Sequence, residues 1–284
     1  MKINYSGQTD KGRVRKANED FLAYEKISEN EYLFIVADGM GGHQAGDVAS
    51  KLGTQAFVSA YKSLRGNDDT ISETMQQSIK EANTTILAKA SADLSKKGMG
   101  TTFSAMVISD MKAHIVHVGD SRIYLIRDNR IHKITTDHTF VEKMMEEGRL
   151  SEEEARNHPQ KNILYMSLGA RESFAPVLIE DYEVREGDLF ILCSDGLNNM
   201  VSDEQILEFS FKHPSPTEMV AALIDQANEQ GGTDNITVQA IEIGSKNNSG
   251  ETEPINIVKR KGAVFALSFI ALLIILFIIY LVFK

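Results

Sequence analysis

Three apolar runs in this sequence end in an aspartate beside a glycine. Leu33-Phe34-Ile35-Val36-Ala37 leads into Asp38-Gly39, and Leu189-Phe190-Ile191-Leu192-Cys193-Ser194 leads into Asp195-Gly196. His114-Ile115-Val116-His117-Val118-Gly119 ends in Asp120. Apolar runs with little polar alternation are strands covered on both faces, so each must lie inside a layered structure. An acid at the end of such a strand stands where the core opens to the surface. A single Asp-Gly pair reads as a turn. The same arrangement three times in one chain points to a site assembled at strand ends.

Strand-like runs cover 31–37, 103–108, 113–118, 123–126, 188–193 and 237–243. Helical patterns lie between some of them. Ile71, Met75, Ile79, Ala82 and Ile86 share one helix face, which reads as core packing, and 48–61 is a second amphipathic stretch. Ser215-Pro216-Thr217-Glu218 reads as a capping box with proline at the first helical position, opening a helix to about Glu229. Ser202 and Ser151 open two more. Strands cluster, helices cluster, and short turns such as Asp128-Asn129 join neighbouring strands. This predicts an α+β fold of antiparallel sheets with helices packed outside, over residues 1–243.

Charge and cysteine content exclude several functions. All 40 acids and 26 of the 30 bases fall in residues 1–258 of a chain with net charge −10, so binding to nucleic acid is not expected. The single cysteine, Cys193, excludes an intrachain disulfide and a cysteine-rich metal site, and its place in an apolar strand predicts an inert core thiol. Residues 263–283 carry no charge and are long enough to cross a bilayer as a helix of roughly 31 Å. Lys259, Arg260 and Lys261 precede them and predict that the N-terminal part stays in the cytoplasm. Residues 244–262 read as a flexible, basic-ended linker. The expected organisation is a soluble domain, a tether and a single-pass C-terminal membrane anchor.

More acids lie in short polar contexts, Asn18-Glu19-Asp20 and Gly231-Gly232-Thr233-Asp234-Asn235. Should these meet the strand-end aspartates, their repulsion would require a cation, and an all-oxygen set suits Mg²⁺ or Mn²⁺ rather than Zn²⁺. Spacing alone does not bring them together.

Six segments resemble, in order, the motifs of the PP2C (PPM) family of metal-dependent Ser/Thr phosphatases. They are Arg15-Lys16-Ala17-Asn18-Glu19-Asp20, Ala37-Asp38-Gly39-Met40-Gly41-Gly42-His43, Gly100-Thr101-Thr102, Gly119-Asp120-Ser121-Arg122, Ser194-Asp195-Gly196 and Gly232-Thr233-Asp234-Asn235. The Asp-Gly-Met-Gly-Gly-His segment is similar to the bacterial branch. The resemblance implies two packed antiparallel β-sheets flanked by helices, with a binuclear Mn²⁺/Mg²⁺ centre at one end. It implies that Asp38 bridges both ions, that the Gly39 carbonyl binds one, and that Asp195 and Asp234 bind the other. Glu19 and Asp20 would act mostly through waters, and a third ion would lie near Asp120 and Asp195.

The chemistry so implied is attack on phosphorus by a metal-activated water. Arg15 matches the family arginine that holds phosphate oxygens, a role suited to the guanidinium fork. Its other reading is a solvated residue in the basic stretch Lys11, Arg13, Arg15, Lys16. His43 is either the general acid for the leaving alkoxide or a structural group, since Met40 stands where the animal branch has histidine. His114 and His117 read as structural, and His132, His138, His158 and His213 as surface or loop groups. Residues 136–169 match a helical flap of bacterial members, or form a solvated surface subdomain. The expected substrates are phosphoproteins, including a membrane Ser/Thr kinase that the enzyme would oppose. The alternatives are a hydrolase of small phosphomonoesters and a non-catalytic binding module.

Overall fold

The computed structural model describes residues 1–41, 45–66, 69–156, 158–172 and 174–244. Two antiparallel sheets face each other. The first has β1 (Lys2–Asp10), β11 (Ile236–Gly244), β10 (Leu189–Cys193), β7 (Arg122–Arg127) and β8 (Arg130–Lys133), in that spatial order. The second has β2 (Asp20–Ser28), β3 (Glu31–Met40), β5 (Phe103–Ser109), β6 (Lys112–Val118) and β9 (Val177–Glu183), with β4 (Gly100–Thr101) paired to the end of β3.

The unbroken apolar runs follow from this layering. On β3, Phe34 and Val36 point between the sheets, where they meet Phe190 and Leu192 of β10 and Ile241 of β11. Leu33, Ile35 and Ala37 point the other way, onto α1 (Ala45–Leu64) and α2 (Ile71–Ala92) through Phe57, Met75, Ile79 and Ile86. Both faces are therefore covered and neither can be polar. The other sheet packs Ile191, Cys193, Val238 and Ala240 beneath α7 (Pro216–Glu229), through Met219, Leu223 and Ala227. The result is helix, sheet, sheet, helix, as the strand and helix clustering predicts.

Local signals set the joints. Asp128 and Asn129 both take positive φ, 51° and 57°, the left-handed pair that a two-residue hairpin turn requires. Ser215 caps α7 by accepting from the Glu218 N–H at 3.2 Å. Ser202 and Gln205 form a reciprocal capping box at α6 (Asp203–Lys212). Strands β1, β8 and β9 escape the sequence reading because they lie at or beside sheet edges and mix polar with apolar residues.

The segment from Thr136 to Gly169 carries α3 (Phe140–Glu146) and α4 (Glu152–Arg156). It is fastened to the sandwich: Arg122 donates to both carboxylate oxygens of Asp137 at 2.7–3.0 Å, and a bridge joins Thr101 to Leu168. His138 corrects an expectation. It lies in a loop but is 3% exposed, because it tilts against His117 with ring centroids 4.9 Å apart and accepts from the Gly119 N–H at 3.0 Å. Among the described residues no helix is long and apolar enough to cross a membrane. The expected span at 263–283, the linker after Gly244 and His43 lie outside the described residues.

Candidate metal centre

Strand register brings the predicted acids to one end of the sandwich. In one sheet Cys193, the last residue of β10, pairs with both Arg122 at the start of β7 and Val238 near the start of β11. Asp195, Asp120 and Asp234 are each within four residues of that row. In the other sheet Asp20, opening β2, lies opposite Asp38, near the end of β3. Antiparallel pairing thus places chain segments far apart in sequence beside one another.

Their mutual field is strong. Burial raises the Asp38 pKa well above the usual carboxylate range, and Asp20, Asp195, Asp120 and Asp234 add to the rise. Burial lifts Asp20 to about 7; hydrogen bonds from Ser194 and Thr237 oppose this, while Asp195 and Asp234 reinforce it. Burial followed by Asp195 and Asp137 pushes Asp120 up to about 8. Burial and then Asp234 raise Asp195 to about 6, offset in part by hydrogen bonding with Asp38. Glu19 is raised by burial, moderated by a backbone hydrogen bond from Gly46 and by Arg15.

Asp20, Asp38, Glu19 and Asp234 are held by named partners. Ser194 Oγ and Thr237 Oγ1 both donate to Asp20 Oδ2, each at 2.7 Å. The Asp38 N–H donates to Thr102 Oγ1 at 2.8 Å, and its carbonyl accepts from the Thr102 N–H and Thr101 Oγ1 at 2.8 and 2.9 Å. Asn235 Nδ2 donates to the carbonyls of Lys11 and Ala17, both at 2.9 Å, while its Oδ1 accepts from the Glu19 N–H at 2.8 Å. That one amide fastens the loop carrying Arg15 and Glu19 beside Asp234. Arg15 donates to Asp234 Oδ2 at 2.6 Å with its side chain half exposed. Gly39 fits only without a side chain, since a Cβ there would lie 2.1 Å from the Gly46 carbonyl oxygen.

Glu19, Asp20, Asp38, Gly39, Asp120, Asp195, Asp234 and Arg15 are therefore gathered in one region. Sequence reading placed Asn235, Thr101, Thr102 and Ser194 in the motif segments but gave them no part in holding the acids, and it missed Thr237. Short polar residues next to each acid were the available signal. Among the described residues no group of three or more His, Cys, Asp or Glu side chains is placed to hold one ion. Mg²⁺ and Mn²⁺ keep several waters and need only one or two carboxylates each, so this cluster suits them. Two buried oxygens, Asp20 Oδ1 and Asp195 Oδ1, have no hydrogen-bond partner. Buried carboxylate oxygens left so among like charges fit cations as their counterpart.

Comparison with known proteins agrees with this geometry. The serine/threonine phosphatase stp of Listeria monocytogenes is 37% identical over 239 residues, covering 83% of this chain and 94% of that protein. The fold matches the Streptococcus agalactiae serine/threonine phosphatase with TM-score 0.78 at 36% identity, over 85% of this chain and 100% of that one. It also matches the catalytic domain of the phosphatase PstP, solved with two manganese ions, with TM-score 0.75 at 36% identity, over 86% and 99%. Residues 9–234 match the family described as protein phosphatase 2C, and they contain every acid of the cluster, so the chain belongs to that family.

Proposed function

We propose that this chain is a metal-dependent protein serine/threonine phosphatase, using Mn²⁺ or Mg²⁺. The observation that carries this reading is Asp38 surrounded by Asp20, Asp120, Asp195 and Asp234, a set of acids that can stay ionised together near neutral pH when cations offset their charge. When bound, such ions supply an activated water nucleophile and neutralise phosphate charge. Asp38 would stand between two ions, with the Gly39 carbonyl on one and Asp195 and Asp234 on the other. Glu19 and Asp20 would act mainly through waters, and Asp120 would help hold a third ion. Asp20 is kept in place by its two hydroxyl donors. Arg15, at the cluster and half exposed, offers N–H donors to the non-bridging oxygens of a phosphoester. His43 would donate a proton to the departing seryl or threonyl oxygen, or else support the loop.

The test is turnover of p-nitrophenyl phosphate and a phosphothreonine peptide with added Mn²⁺. Loss of turnover in EDTA is expected, and full activity in EDTA overturns the reading. Faster turnover of nucleotides than of phosphopeptides would favour a small-molecule phosphatase instead. The presence of all six acids weighs against a non-catalytic module.

The same proposal extends to location. The 21 uncharged residues at 263–283 and the basic residues before them support a membrane anchor with residues 1–243 as a cytoplasmic phosphatase domain. Sharing a membrane with a Ser/Thr kinase would raise the local concentration of one near the other. Deleting 259–284 should shift the protein from the membrane fraction to a soluble, active form. Unchanged fractionation rejects the anchor.

A further inference from the structure

The loop from Lys11 to Lys16 holds four cations in six residues, within a chain of net charge −10. Lys11, Arg13, Val14, Arg15 and Lys16 are all exposed, Val14 at 64%. Arg15 pairs with Asp234. Lys11, Arg13 and Lys16 have no ion-pair partner among the described residues, whereas many other basic side chains of the domain are paired, including Lys26, Lys62, Arg65, Lys112, Arg122 and Arg127.

This loop is not a free arm. The N–H groups of Arg13 and Val14 donate to the Gly232 carbonyl at 2.8 and 3.3 Å, and the Lys11 and Ala17 carbonyls are held by Asn235. Gly12 has φ +77°, and a Cβ on it would lie 2.1 Å from the Asp234 carbonyl oxygen, so the loop lies backbone against backbone on the turn that carries Asp234. The backbone that carries the three unpaired cations is thereby held beside the turn of Asp234, with their side chains in solvent.

Such an arrangement has a cost that suggests its use. Like charges held side by side repel, and a solvated rim needs no such density. An acidic enzyme also repels anionic substrates, and a local cationic rim reverses that field where the substrate enters. We infer that the Lys11–Lys16 loop selects phosphosites flanked by aspartate or glutamate, with Lys11, Arg13 and Lys16 binding the flanking carboxylates while Arg15 faces the scissile phosphate. The inference rests on the phosphatase reading and adds the class of protein segment the site accepts.

The test uses two phosphothreonine peptides that differ only in their flanks, three aspartates or three alanines, with the full chain and Mn²⁺. The expected preference in kcat/KM for the acidic peptide is roughly five- to tenfold at low salt, the size of a few rim charge pairs. It should shrink toward unity as salt is raised. The triple variant Lys11→Gln, Arg13→Gln, Lys16→Gln should lose the preference while turning over p-nitrophenyl phosphate at near the normal rate, since that substrate has no flanks. Equal rates on the two peptides in the unaltered protein, or a preference kept by the variant, overturn the inference. Should the variant also lose p-nitrophenyl phosphate turnover, the salt titration of the unaltered protein decides, and a salt-independent preference overturns it. No turnover of any of the three substrates by the unaltered protein overturns the phosphatase reading itself.

Discussion

Asp20 and Asp38 stand directly opposite one another across the β2–β3 ladder. Facing residues on an antiparallel pair share one side of the sheet with Cβ atoms roughly 5 Å apart, and like charges there destabilise it. The fold accepts this and adds Asp195, just after β10, and Asp234, just before β11, from the end of the other sheet. The sandwich is thus strained electrostatically at the end where its core opens to the surface. That conflict between stability and charge is what marks the region as functional.

The conflict sets a pH dependence. Asp195, Asp20 and Asp120 are raised to about 6, 7 and 8 in the folded chain, above the ordinary value of about 3.9 for an unfolded chain. The folded state therefore binds more protons through this window. The contribution of these three groups to stability is fully present below about pH 4 and is lost as pH rises through 6 to 8. The EDTA-treated protein should melt about 5 °C or more lower at pH 8 than at pH 5. Added Mn²⁺ should raise Tm far more at pH 8. A Tm that rises with pH in EDTA would contradict the raised pKa values.

Asp38→Asn removes one charge from the centre of the cluster at nearly constant volume. At alkaline pH, where the cluster ionises, the metal-free variant should melt a few degrees higher than the parent, because the repulsion with Asp20, Asp195, Asp120 and Asp234 is gone. Its kcat with Mn²⁺ should fall on the order of a thousandfold or more, since nucleophile activation depends on the ions. Calorimetry and steady-state kinetics on one preparation check both. A variant that is less stable and fully active would make Asp38 a structural residue.

Cys193 is fully buried between the sheet and α7, and burial pushes its thiol up to about 12. The thiolate is the reactive form, so the folded protein should resist a soluble thiol reagent at pH 8. Labelling should proceed only at the rate of unfolding and become complete in denaturant. Rapid labelling of the native chain, with loss of activity, would place this thiol in reach of solvent.

His43 lies outside the described residues, and its two readings separate by leaving group. A general acid matters for a threonyl alkoxide and little for p-nitrophenolate, which departs without help. His43→Ala should therefore slow phosphothreonine hydrolysis on the order of a hundredfold and leave p-nitrophenyl phosphate turnover within a few-fold. Equal losses on both substrates would assign His43 a structural part.

Much of this was legible in the sequence because burial leaves a plain trace. The runs ending in Asp38, Asp120 and Asp195 have to be two-sided strands, and helix caps at Ser202 and Ser215 carry their own chemistry. Edge strands such as β9 bury little, so their sequence is hardly constrained. Spacing could not show that Asp20 meets Asp38, or that Asp234 meets Asp195, because pairing between distant segments depends on register. That the loop residue His138 is buried was hidden for a related reason. Its burial comes from His117 and Tyr165, neighbours it acquires only when the flap folds back.

Asn235 gives the most direct test of how the site is assembled. Its side chain makes three hydrogen bonds, to the Lys11 and Ala17 carbonyls and from the Glu19 N–H, and the residue is 5% exposed. Asn235→Ala leaves three backbone groups without their partner, which should cost about 2–3 kcal/mol in urea unfolding. The greater effect should fall on function. The loop that it releases bears Arg15, so KM for p-nitrophenyl phosphate should rise more than kcat falls, and Arg15→Ala made on top should add little, since both act through one loop. Asn235→Asp keeps the acceptor for Glu19 and loses both donors, so it should reproduce most of the defect. A stability loss with unchanged KM would confine Asn235 to folding and remove it from the assembly of the site.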